Sequence, residues 1–110
     1  TLVDTCFGTH HLQFAEDEND TLYLSGDMNV VGWVDTKKYD ETGDERASQA
    51  WCPTILDTNG DGKIGEYVEP GQPVDPTKDK RIFGFGYGII PNPFDGSVWF
   101  TRPYPNMVPG

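Results

Sequence analysis

The sequence is short of basic residues. Eight Lys and Arg stand against eighteen Asp and Glu, a formal net charge of -10. Nucleic acids and anionic membrane surfaces are bound through basic patches, so this balance argues against both. Long apolar runs are also missing. Apolar residues make up 35% of the chain, no stretch approaches a membrane-spanning length, and none has the layout of a signal peptide. Membrane insertion is therefore not expected. Cysteine is scarce: Cys6 and Cys52 are far apart, form no CxxC, and with two His lack zinc-finger spacing. A disulfide closing a long loop and a pair of free thiols both stay open. No sustained 3.6-residue apolar period is present, which excludes a helical bundle.

Gly and Pro are abundant instead. Thirteen Gly, nine Pro and 13% aromatic residues fit an all-β chain with many turns and a small aromatic core. At 110 residues there is room for one ordinary domain at most. The chain opens on Thr1 rather than Met, as expected of a processed chain or a piece of a longer one.

Taken in order, residues 2–7 read as a strand end. Leu12 to Ala15 and Thr21 to Ser25 read as a hairpin across the polar turn Glu16 to Asp20, and Asn29 to Asp35 as a third strand after a Gly-Asp turn. The next residues are polar, with an acidic centre from Asp40 to Glu45, and Asp44 is placed to cap a short helix running to Ala50. Trp51 to Leu56 reads as one strand. Pro70 to Thr77 reads as an extended arm without donors for a ladder, and Lys78, Lys80 and Arg81 balance nearby acids. The expected organisation is a β unit at 1–35, an acidic and Pro-rich insert at 36–81, and a second β unit at 82–110.

The most informative stretch runs from Asp57 to Glu69. Asp57, Asn59 and Asp61 alternate, so their oxygens can converge on one hard cation. Gly62 permits a sharp turn, Lys63 offers its backbone carbonyl, and Ile64 is the apolar residue expected to anchor the loop to a core. This is the D-x-[DN]-x-[DN]-G pattern of the EF-hand loop, and the stretch resembles an EF-type or dockerin-like calcium loop. It departs from that family at its end. The twelfth position, where the bidentate Glu belongs, is Val68, so either Glu66 or Glu69 is expected to close the shell. No helical pattern leads into the loop. The implied cofactor is Ca2+, held by Asp57, Asn59, Asp61, Lys63 and one of Glu66 and Glu69. The bare alternative is an acidic surface turn.

Gly88 to Arg102 lies on Leu12 to Gly26 without a gap, 76 residues later, alike in residue class but not in identity. The unit, and above all Asp95-Gly96-Ser97-Val98-Trp99-Phe100-Thr101-Arg102-Pro103, resembles the blades of NHL and streptogramin-lyase-like β-propellers. Cys6 through Arg81, with its Thr9-His10-His11 segment and its DTNG and YVEP motifs, is similar to a group of exported bacterial propeller proteins of uncharacterised activity. That resemblance implies propeller-like antiparallel hairpins with a long calcium-loop insert in a secreted protein, extracellular or periplasmic. A propeller needs at least four blades, and this chain holds two such units at most. It is therefore expected to be part of a larger sheet or propeller, joined to the rest of a longer chain or to copies of itself.

His10 and His11 are the only histidines and the candidates for a catalytic base. Adjacent strand residues point to opposite faces, so only one of the two is expected to face a channel. Three functions follow: a calcium-stabilised binding or structural segment; a propeller lyase or hydrolase using a channel His; and a calcium-dependent adhesion or filament subunit. Tyr104, between two prolines, is the aromatic most exposed on this reading.

Overall fold

The computed structural model describes residues 2–25, 29–82 and 86–101. The Gly26-Asp27 turn, Arg102-Pro103 and Tyr104 lie outside the described residues. The fold is mostly β. Strands β1 (His11–Phe14), β2 (Thr21–Ser25), β3 (Val30–Asp35) and β4 (Gln49–Pro53) form one antiparallel sheet in the order β1-β2-β3-β4. Strands β5 (Ile55–Leu56), β6 (Tyr67–Val68) and β7 (Asp79–Arg81) form a second, with β7 in the middle, antiparallel to β5 and parallel to β6. Strands β8 (Ile89–Pro91) and β9 (Val98–Phe100) make a hairpin. Among the described residues none of these sheets closes into a barrel.

The large sheet has two unequal faces. Register places Leu22, Leu24, Gly32 and Val34 on one of them. Phe7 lies across that face and forms the core cluster with Leu24 and Val34, flanked by Leu22 and Val30. Residues 2–7 thus pair with no strand; they deliver one aromatic ring. The ring fits because Gly32 leaves a hollow beneath it. A Cβ on Gly32 would stand 2.3 to 2.5 Å from three Phe7 ring carbons. The opposite face carries Tyr23, Val31, Trp33 and Ser25. The Ser25 hydroxyl donates to the Tyr87 carbonyl, which ties the β8–β9 hairpin to this side.

Local chemistry sets the connections. Asp17 closes the β1–β2 turn by accepting from the Thr21 amide at 2.9 Å and the Thr21 hydroxyl at 2.6 Å, and these bonds hold its carboxyl below the ordinary range. The short helix is not where Asp44 would put it. It runs Thr36–Thr42, capped by Asp35, whose Oδ1 accepts from Lys38 N at 2.9 Å, and stopped by Gly43 at φ 65°. Asp44 instead caps the turn that follows, accepting from the Ala47 amide at 3.0 Å. The strand expected over Trp51 to Leu56 divides at Thr54, and its halves belong to different sheets. Pro53 ends β4 on the sheet edge, where a residue without an amide proton is tolerated.

The two hairpins that the sequence relates are both present but are not the same ladder. Phe14 pairs with Leu22, whereas Pro91, not Ile90, pairs with Val98. On the 76-residue offset this is a difference of one residue in register, which reverses which side chains share a face.

Candidate metal centre

Residues 57–66 connect β5 to β6, the two strands that flank β7, so the acidic loop passes over the end of the small sheet. Its shape is fixed by its own acids. Asp57 Oδ1 accepts from the Gly60 amide at 2.7 Å and the Asp61 amide at 3.2 Å, and Oδ2 from the Gly62 amide at 2.8 Å. Asn59 Oδ1 accepts from the Asp61 amide at 3.1 Å, and Asp61 Oδ1 from the Lys63 amide at 2.8 Å. Gly60 and Gly62 sit at φ 77° and 74°, the left-handed region that a Cβ disfavours. The loop is thus wound around the Asp57 carboxylate as a helix start is wound around its cap. Two bonds fasten its first half to the strand below: Thr58 Oγ1 donates to the Lys78 carbonyl at 2.9 Å, and Asn59 Nδ2 to the Thr77 carbonyl at 3.5 Å.

The two glutamates, one of which is expected to close the shell, each face a basic side chain. Glu66 pairs with Lys78 at 3.3 Å, and Glu69 with Arg81 at 3.4 Å. Both pairs are exposed and contribute about 1 kcal/mol at most. Lys80 is held separately, its ammonium donating to the Glu69 carbonyl at 3.2 Å, the Pro70 carbonyl at 3.1 Å and the Gln72 carbonyl. The Pro-rich segment is therefore folded into turns around a lysine rather than extended. Ile64 is 64% exposed, so it anchors no core. Among the described residues no three His, Cys, Asp or Glu side chains are gathered as a formed metal cage.

One carboxylate that sequence reasoning passed over stands out. Asp79, in the middle strand β7, is fully buried. Its Oδ2 accepts from the Gly65 amide at 2.7 Å, and its own amide donates to the Glu66 carbonyl at 2.9 Å. Its Oδ1 is buried with no hydrogen-bond partner. The sequence signal was the strand alternation of Asp79-Lys80-Arg81, which puts Lys80 on the opposite side from the acid.

The histidines are brought together, not apart. His10 precedes β1, so strand alternation does not apply to it. The two rings stack at a centroid separation of 4.7 Å, with Nδ1 to Nδ1 at 2.8 Å, and both lean on Tyr87 at 4.9 and 4.3 Å. Cys6 and Cys52 are unbonded and exposed. Partial covering of its sulfur, in a residue otherwise exposed, pushes the Cys52 thiol up, away from a reactive thiolate.

Compared with family models, curated proteins and solved structures, the chain has no match.

Proposed function

We propose that the chain is a calcium-binding, calcium-stabilised β-rich segment of an exported protein, extracellular or periplasmic, with a binding or structural role. The observation that supports it most is the loop wound around Asp57. It carries the Asp57, Asn59 and Asp61 side chains on one short turn, with Lys63 next along it, without needing a helix pair to shape it. Calcium takes six to eight oxygen ligands at about 2.3–2.6 Å, and these residues supply the greater part of such a shell. The ion's role is to order residues 57–81. That segment has only two- and three-residue strands and three exposed acids in its loop, Asp57, Asp61 and Glu66. Metal binding and folding are then one free energy.

The β1–β4 meander has the strand number and connectivity of one propeller blade, which supports a propeller-like arrangement with further blades supplied by a longer chain or by other copies. Calorimetric titration of the protein with calcium tests the metal reading. One ion per chain is the expected result, and no heat at millimolar calcium would sink it.

A further inference from the structure

We propose that Asp79 is the carboxylate that completes the calcium shell, in place of the acid missing at Val68. The inference rests on the calcium reading of the loop and adds a ligand from outside it.

A buried carboxylate oxygen without a donor is expensive. Removing an ionised group from water costs several kcal/mol unless opposite charge and hydrogen bonds replace the solvent. At Asp79 only half of that replacement is present, since Oδ2 has the Gly65 amide and Oδ1 has nothing. The nearby lysines do not serve it. Lys78 Nζ is engaged with Glu66 and Lys80 Nζ with three carbonyls. Residues 77–79 run beneath the loop, bonded to it at Asn59, Thr58, Gly65 and Glu66 in turn. The carboxylate that carries the bare oxygen is thus bonded into the loop at Gly65, two residues after Lys63. A cation there removes the cost at Asp79 and the mutual repulsion of Asp57 and Asp61 together.

This also accounts for the glutamates. Glu66 is paired with Lys78 and Glu69 with Arg81, so bringing either to the ion means breaking an ion pair, a cost that Asp79 does not carry. A strand residue takes the place that a loop residue holds in the EF-type pattern. Since the side chains are not gathered into a formed cage, the ion draws the loop down onto Asp79.

Asp79→Asn tests the assignment. The amide keeps the shape and can still accept from Gly65, but it carries no charge. Calcium affinity should fall about tenfold or more, because ligand charge sets affinity in such sites. In EDTA the variant should unfold at the same temperature as the parent or higher, because an uncompensated charge has been removed. Wild-type affinity in Asp79→Asn overturns the proposal and leaves the loop reading standing. No calcium binding by the wild-type protein overturns both. If Asp79→Asn does not fold, the side-chain carboxyl carbon signals of the wild-type protein decide. On adding calcium the Asp79 signal must move with those of Asp57 and Asp61, and an Asp79 signal that stays while the others move overturns the proposal.

Discussion

Phe7→Ala is expected to destabilise the protein by about 3–5 kcal/mol, the usual cost of removing a buried phenyl ring. Phe7 is 5% exposed and is the largest member of a core cluster whose other buried residues are Leu24 and Val34. No neighbour of similar size stands ready to fill its place. The ring occupies the hollow over Gly32, so Gly32→Ala is expected to act on the same contact from the other side. A methyl group 2.3 Å from a ring carbon forces the phenyl out of its seat, and overpacking of this kind costs about 1–3 kcal/mol or more. The two changes should not add. In a Phe7→Ala background the methyl meets no ring, and Gly32→Ala should become nearly neutral or stabilising, since Gly is a poor strand residue. Urea unfolding of the four proteins checks this. Strict additivity would mean that Phe7 is not what closes this face.

Asp57→Ala combined with Asp61→Ala is expected to abolish calcium binding. Calcium sites of this kind depend on side-chain oxygens at alternate positions, and the double variant removes both charged ones. The two residues do not play equal parts. Asp57 accepts from three loop amides, so its loss also unwinds the turn, whereas Asp61 accepts from one backbone amide, that of Lys63, and at 3.5 Å from Asn59 Nδ2. Asp61→Ala alone should therefore lower affinity while leaving stability in EDTA nearly unchanged. Asp57→Ala should lower both, the second by about 1 kcal/mol for each lost hydrogen bond at most, because these bonds are exposed. Calorimetric titration measures the first effect and thermal unfolding in EDTA the second. Unchanged affinity in the double variant would reject the site.

How far the sequence revealed the fold depended on how local each determinant was. The β1–β2 hairpin and β3 were legible, because alternation and a polar turn are written in adjacent residues. The helix was misplaced. Asp44 looked like a cap, but only Asp35 is followed at a helical distance by a stop glycine, Gly43. Phe7 reads locally as a strand end, because its role depends on Gly32, twenty-five positions on, and no local pattern joins them. The histidine pair broke the alternation rule because the strand begins at His11, one residue later than the rule assumed.

At the candidate site the loop acids were legible from spacing. The buried carboxylate of Asp79 was not. Lys78-Asp79-Lys80-Arg81 reads as a charged surface patch, and only the pairing of β7 between β5 and β6 buries its single acid. Ile64 failed as an anchor for the same reason in reverse. Apolar character suggested a core, but the loop sits over two-residue strands with too little mass beneath to cover it.

Thermal unfolding of the protein in calcium and in EDTA shows whether the ion stabilises the fold. An ion that binds only the folded state adds about 2.7 kcal/mol at a hundredfold excess over its dissociation constant. For a chain of 110 residues that raises the midpoint by about ten degrees. A shift of that size is expected, absent with Asp57→Ala plus Asp61→Ala. Identical midpoints in the two buffers would contradict it and leave residues 57–69 an acidic turn.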